Sequence, residues 1–106
     1  MEPKEYPVVT LCGSTRFRDD FLRVQKELTL QGYLVISVGL FGHSGDSEAM
    51  DETVKAMLDD MHKRKILMAQ EIFVINRGGY IGSSTRSEIE FATAHGIPVR
   101  YLEPCG

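Results

Sequence analysis

Residues 72–92 read IFVINRGGYIGSSTRSEIEFA, and the order of residue types in this stretch decides the fold. An apolar run ends at Ile75 in a turn with three glycines, and three hydroxyl residues, 83–85, follow it. A helical pattern carrying Glu88 comes next, so the stretch predicts a strand, a turn and a helix. Backbone N–H groups and hydroxyls at the positive end of a helix suit an anion, and Glu88 would lie beside that anion.

A second stretch of the same kind lies near the start of the chain. Val8-Val-Thr-Leu-Cys12 has the composition of a buried strand, and Gly13-Ser-Thr-Arg16 follows it directly. Apolar residues then fall at helical spacing, and Gly32 supplies a stop. In a parallel sheet both turns would lie at one carboxyl edge, so we expect two anion-binding turns there. Their residues are Gly13, Ser14, Thr15, Gly82, Ser83 and Ser84.

The remaining elements continue an alternation of strands and helices. Such an alternation predicts parallel βαβ units and an α/β fold. We expect one domain, residues 1–106, with a small doubly wound parallel sheet, a flavodoxin-like (Rossmann-like) three-layer sandwich. The further strands are predicted at residues 33–38, 71–75 and 99–102, and a long helix at about 49–69. In that helix Val54, Met57, Leu58, Met61 and Met68 are predicted to form a core face.

Composition excludes several classes of protein. The net charge of −3, with no basic arm or stripe, argues against nucleic-acid binding. No apolar run approaches membrane-spanning length, and the N-terminus lacks the apolar core of a signal peptide. The two cysteines, Cys12 and Cys105, have no CxxC partner, which fits a reducing, cytoplasmic setting. Asp59 and His62 are the only pair at ligand spacing in the long helix, so no metal is expected, and no cofactor either.

Residues 39–47 form a loop longer than a turn requires, rich in glycine and small polar groups. With His43 and Asp46 in it, the loop is either a wall of the site or a plain surface connection. Several nucleotide and hydrolase motifs are absent: GxxxxGK[ST], GxGxxG and GxSxG do not occur.

Glu88 is the acid of most interest, and it admits two interpretations. In the first turn of a helix the dipole would favour its charged form, which suits attack on an oxocarbenium-like sugar carbon. Asp60, Asp46 or a water bound with the substrate are then candidates for protonating the leaving base. Alternatively, Thr85-x-x-Glu88 has the spacing of a capping box, and the carboxylate would only cap the helix.

The chain resembles the nucleoside 2-deoxyribosyltransferase-like superfamily, which includes deoxynucleoside 5′-monophosphate N-glycosidases, over nearly its whole length. The resemblance rests on residues 11–15, residues 69–75 and, above all, Glu88-Ile-Glu-Phe-Ala92 continuing to Gly96-Ile-Pro-Val99. The last is similar to the family signature Glu-Ile-Gly-Tyr-Ala…Gly-Lys-Pro. This sequence departs from that signature at Glu90 and Phe91, and it has Gly82 where transferases often carry an aspartate.

The resemblance implies a homodimer that cleaves or exchanges the N-glycosidic bond of a nucleoside or nucleotide. It implies that Glu88 is the nucleophile and that Asp60 helps with base or sugar. Substrate contacts are expected from Gly13, Ser14, Thr15, Arg16, His43, Gly82, Ser83, Ser84 and Ser87. A non-catalytic nucleotide-binding module on the same fold is the alternative; a redox flavoprotein is a third, and fold alone does not support it.

Overall fold

The computed structural model describes residues 2–41 and 52–104 of the chain. In this part, strands and α-helices alternate along the chain, and short 3₁₀ turns at Thr15–Phe17 and Arg77–Gly79 follow two of the strands. The elements in chain order are β1 (Val8–Gly13), α1 (Arg18–Leu30), β2 (Leu34–Ile36), α2 (Glu52–Leu67), β3 (Glu71–Ile75), α3 (Ser83–Ala94) and β4 (Val99–Tyr101).

The four strands form one parallel sheet in the order β2-β1-β3-β4. The predicted small doubly wound α/β fold is therefore confirmed, since β1 and β3 are central and the strand order reverses between them. β1 and β3 pair over five residues, from Val9 opposite Glu71 to Gly13 opposite Ile75. Ligands of such sheets bind at the carboxyl ends of the strands beside this reversal, which fixes where the site should be sought.

Side chains of the central strands alternate between two cores, one on each face of the sheet. On one face, alternate residues of β1 and β3 pack against Phe21, Val24 and Leu28 of α1. On the other face, Ile66 of α2 and Ala92 of α3 pack against the strands. Helices on both faces make the predicted three layers, and they explain why both central strands are almost continuously apolar.

The edge strands are shorter than the sequence predicts. β2 covers three residues instead of 33–38, and β4 ends at Tyr101. The helix after β1 begins at Arg18, because residues 15–17 first form a 3₁₀ turn. No helix in the described ranges 2–41 and 52–104 is long and apolar enough to cross a membrane.

The predicted core face of α2 is confirmed in part: Val54 and Leu58 are half-buried, whereas the three methionines are wrong. Met57, Met61 and Met68 are 52%, 47% and 61% exposed in the chain, whereas His62 and Ile66 are the buried residues of the helix. Because the buried stripe contains a histidine, the apolar periodicity of this helix follows the neighbouring methionines instead. α2 therefore packs an imidazole against the sheet, where the sequence predicted only apolar side chains.

A buried amide at the end of β3 holds the chain that follows β4. Asn76 is fully buried; its side chain donates to the carbonyl of Glu103 at 3.0 Å and accepts from the N–H of Glu103 at 2.9 Å. The Glu103 carboxylate accepts in turn from the N–H of Gly78 at 2.7 Å. These bonds tie the glycine turn to the chain after β4, so the turn leaves β3 in one defined direction.

Gly13 ends β1 in a conformation that an L-residue rarely adopts, and we predict that Gly13→Ala is destabilising. Its φ is +148°, and an added Cβ would lie 2.7 Å from the carbonyl oxygen of Ile75 on the paired strand. Strain and overlap together should lower the free energy of unfolding by at least about 2 kcal/mol, measured by urea denaturation.

The matched control is Gly39→Ala, where no atom lies within 4 Å of the added Cβ and φ is outside the left-handed region. That change should stay within about 0.5 kcal/mol of wild type. Equal losses for the two variants would contradict the explanation given for Gly13.

Candidate functional site

A cavity of about 460 Å³ opens at the carboxyl edge, beside the point where the strand order reverses. The end of β1, the face of α2 and the start of α3 supply most of its walls. It is lined by Gly13, Ser14, Thr15, Arg16, Val38, Gly39, Leu40, Lys55, Leu58, Asp59, Met61, His62, Lys65, Tyr80, Gly82, Ser84, Thr85 and Glu88.

The cavity brings together most of the residues predicted from the sequence. Both turns contribute to it, the first through Gly13, Ser14, Thr15 and Arg16 and the second through Gly82 and Ser84, with Glu88 behind them. Three predicted residues, Asp60, Ser83 and Ser87, are exposed and are not among its lining residues. His43 and Asp46 lie outside the described residues.

The first turn is organised by its own polar groups. The Ser14 hydroxyl accepts a hydrogen bond from the backbone N–H of Arg16 at 3.3 Å and caps the 3₁₀ turn. The Arg16 guanidinium lies over the ring of Tyr80, 4.3 Å from its centroid, in a cation–π arrangement. This contact joins the first turn to the second and places an exposed cation at the mouth of the cavity.

The second turn leads into α3 at Gly82, which is the N-cap residue, so the predicted capping box is wrong. Thr85 and Glu88 both lie inside the helix, and in the described part of the chain no side chain caps its start. Since Thr85 is a helical residue, it cannot act as the N-cap that the motif requires. The first backbone N–H groups of an α-helix have no carbonyl acceptor within the helix, and in α3 these groups lie beside Ser84.

Glu88 lies in the second turn of α3 and is only 9% exposed. Burial raises its pKa from 4.5 to about 7; the thiol of Cys12 opposes this by hydrogen bonding, and the negative charge of Asp59 adds to it. The expectation that the helix dipole would favour the charged form is therefore wrong, because burial outweighs the dipole one turn into the helix. Near pH 7 this carboxyl exists in both protonation states.

Cys12, His62 and Glu88 form a buried cluster at the inner end of the cavity. The Cys12 sulfur lies 3.5 Å from Nε2 of His62, and the same nitrogen lies 3.9 Å from Oε1 of Glu88. Burial lowers the pKa of His62 to about 4, with the Lys65 charge acting in the same direction. His62 is thus neutral at pH 7, and its contact with Glu88 is not an ion pair.

The thiol of Cys12 is fully buried, and its burial raises its pKa well above the ordinary value; the neighbouring Glu88 adds to the increase. The thiol is therefore protonated at pH 7 and is a poor nucleophile in this state. Sulfur, imidazole nitrogen and carboxylate oxygen all lie within 4.8 Å of one another, and together they are a candidate set of metal ligands.

No family model matches this chain, and no curated protein matches it. The family resemblance drawn from its motifs therefore stays a prediction.

Several lining residues were not predicted as part of the site, among them Asp59, His62, Lys65 and Tyr80. The first three lie on one face of α2, with spacings of three residues, and this spacing was the available signal. In the sequence, Asp59 and His62 were weighed only as metal ligands, and a substrate site was not considered for this face. Tyr80 lies between the glycines of the second turn, where nothing in the pattern distinguishes it.

The two shifted groups should give opposite dependences of stability on pH. Glu88 binds its proton more tightly in the folded state, so its contribution to the free energy of unfolding falls as pH rises from 4.5 to 7. His62 binds its proton less tightly when folded, so its contribution rises from pH 4 to 6.5. In the wild-type protein the two contributions largely cancel between pH 4.5 and 6.5.

We predict that single variants separate the two contributions. The difference in unfolding free energy, wild type minus Glu88→Gln, should fall by about 3 kcal/mol from pH 4.5 to 7, and wild type minus His62→Gln should rise by a similar amount from pH 4 to 6.5. Urea denaturation in buffers containing EDTA measures both differences. If these differences in unfolding free energy do not change with pH, the pKa values of Glu88 and His62 are not shifted by burial.

Proposed function

We propose that the protein cleaves or transfers the N-glycosidic bond of a nucleoside or deoxynucleoside or of its 5′-monophosphate. The observation that carries this proposal is the position of Glu88, a buried carboxyl at a cavity whose mouth is formed by two glycine and hydroxyl turns. A carboxylate suits an electron-poor sugar carbon, and the turns suit the anionic end of a nucleotide. The family resemblance supports the same assignment.

In the proposed reaction an oxygen of ionised Glu88 attacks C1′ of the sugar. The C1′–N bond breaks, its electron pair leaves with the base, and the base takes a proton from solvent; the water that attacks in the next step returns one proton to solvent. Water then attacks C1′ of the glycosyl ester, releasing the free sugar and Glu88; attack by a second base instead gives transfer. The pKa of about 7 leaves a substantial ionised fraction of Glu88 at neutral pH.

The 5′-phosphate is assigned to the turn that holds Ser14 and Arg16 and to the start of α3 at Gly82 and Ser84. Backbone N–H groups at the start of α3 and the Ser84 hydroxyl can donate to phosphate oxygens. The Arg16 guanidinium, stacked on Tyr80, adds a charged donor at the mouth of the cavity. Three cations, Arg16, Lys55 and Lys65, line the same cavity, which favours a substrate with negative charge.

Asp59 takes the role in substrate orientation or proton transfer that the sequence suggested for Asp60. Both residues are exposed, but Asp59 lines the cavity and its charge raises the pKa of Glu88, whereas Asp60 is not among the lining residues. The two residues are adjacent in α2, and one step along a helix turns a side chain by about 100°.

The second candidate is a non-catalytic nucleotide-binding module. It is supported by Gly82, which stands where transferases of the resembled family often carry an aspartate. In this case the cavity would bind the same ligand class without turnover.

We predict that wild-type protein releases free base from at least one member of a panel of deoxynucleosides, deoxynucleotides and ribonucleotides, tested with and without an acceptor base. Glu88→Gln should lose turnover by at least about a thousandfold, since an amide cannot replace the attacking carboxylate. It should remain folded, because glutamine resembles the neutral form that burial favours. Chromatography of the released base and a melting curve give the two readouts.

The pH dependence of kcat/KM separates a nucleophile from a general acid. A nucleophilic Glu88 requires a rate that rises with pH through about 7, and a rate that falls there would assign it the acid role instead. Ligand-induced stabilisation without release of base from any substrate would favour the binding module.

A matched pair of adjacent variants tests the placement of Asp59. Asp59→Asn should lower kcat/KM by at least about tenfold, the value of one charged hydrogen bond to substrate. Asp60→Asn, with the same chemical change one residue along the helix, should stay within about twofold of wild type. A larger loss in Asp60→Asn would return the role to the residue that the sequence suggested.

A further inference from the structure

Three side chains of the kinds that bind Zn²⁺ meet at the inner end of the cavity, although they are far apart in the sequence. Cys12 ends the apolar run of β1, His62 lies in α2 and Glu88 lies in α3, and their ligand atoms are within 4.8 Å of one another. Thiolate, imidazole and carboxylate are the three ligand types of zinc sites in proteins. Catalytic zinc sites commonly use three protein ligands and leave one position open.

Two of the three separations in the cluster are close to those that a tetrahedral ion would impose. Zn–S and Zn–N bonds of about 2.3 Å and 2.0 Å, at a tetrahedral angle, separate sulfur from nitrogen by about 3.5 Å. Cys12 Sγ and His62 Nε2 are 3.5 Å apart. The corresponding nitrogen–oxygen separation is about 3.4 Å, and His62 Nε2 lies 3.9 Å from Glu88 Oε1. Tetrahedral Zn–S and Zn–O bonds separate sulfur from oxygen by about 3.6 Å, and the Cys12 sulfur and the Glu88 oxygen lie within 4.8 Å of each other. Glu88, with the longest side chain of the three, therefore has to move by up to about an ångström toward the other two ligands.

The surroundings of the cluster also suit a cation. All three residues lie on regular elements, which hold their backbones in place. The charge of a divalent ion balances one thiolate and one carboxylate. His62 and Glu88 also line the cavity, so the fourth position of the ion would face it and the ion would have a path of entry.

We propose that Cys12, His62 and Glu88 form a binding site for a thiophilic divalent cation, Zn²⁺ in the first place, with its open coordination position toward the cavity. On binding, the thiol transfers its proton to solvent and a zinc–thiolate bond forms; Glu88, where protonated, also loses its proton. The bound ion occupies the carboxylate that the proposed glycosidase needs as a nucleophile. Zn²⁺ should therefore compete with substrate.

Co²⁺ provides a spectroscopic test that needs no substrate. Titration of the metal-free, reduced full chain with Co²⁺ should produce a thiolate-to-cobalt charge-transfer absorption and the visible bands of a tetrahedral ion, saturating at one ion per chain. Added Zn²⁺ should abolish these bands by displacement. Because enzymatic turnover is not measured, failure of the glycosidase proposal and failure of this one remain distinguishable.

Two matched pairs of variants assign the ligands. Cys12→Ser should remove the charge-transfer absorption, and His62→Gln should weaken Zn²⁺ binding, measured by competition with a chelating dye, by at least about 100-fold, beyond the effect typical of an outer partner. The controls, Cys105→Ser and the exposed His95→Gln, should match wild type. Circular dichroism tests whether each variant is folded. If Cys12→Ser does not fold, the loss of Zn²⁺ affinity in His62→Gln tests the site.

The proposal is overturned if wild-type protein shows no cobalt–thiolate absorption. It is equally overturned if folded Cys12→Ser keeps that absorption, or if His62→Gln binds Zn²⁺ as tightly as His95→Gln.

Discussion

The structure depends on the pairing of β1 with β3 between two layers of helices. Five paired residues, from Val9 opposite Glu71 to Gly13 opposite Ile75, form the only strand pair of that length in the described ranges. Both cores are built on these two strands. Because both strands end at the same edge, the turns that come after them meet there, and the cavity lies where they meet. The position of the site is thus a consequence of the sheet.

Within the site, burial sets the chemistry more strongly than helix electrostatics does. Glu88 is one turn too far into α3 to gain from the unpaired N–H groups, and it faces the protein interior. The same burial keeps His62 neutral and Cys12 protonated. Three ionisable groups therefore lie close together with little net charge, so their burial carries only a small electrostatic cost. The protonated Cys12 and Glu88 of such a cluster can release their protons when a substrate or a cation enters the cavity.

The sequence predicted the fold class, the four strands and the two turns, because continuous apolar runs and glycine–hydroxyl turns are local signals. Glu88 could be singled out for the same reason. Properties set by helix rotation could not be predicted in this way: Asp59 faces the cavity and Asp60 does not, and α2 buries His62 in place of its methionines. The meeting of Cys12 with His62 depends on packing between distant segments, which no local pattern records.

The number of residues between Gly82 and Glu88 determines the direction in which the Glu88 side chain points. α3 starts at a position fixed by the glycine turn and its bonds to Glu103, and each residue added to the helix rotates its later residues by about 100°. One inserted or deleted residue in this segment would turn the Glu88 carboxyl away from Cys12 and His62 while leaving the helix intact. Substitutions at the exposed positions 83, 86 and 87 preserve this rotation, whereas insertions and deletions there do not.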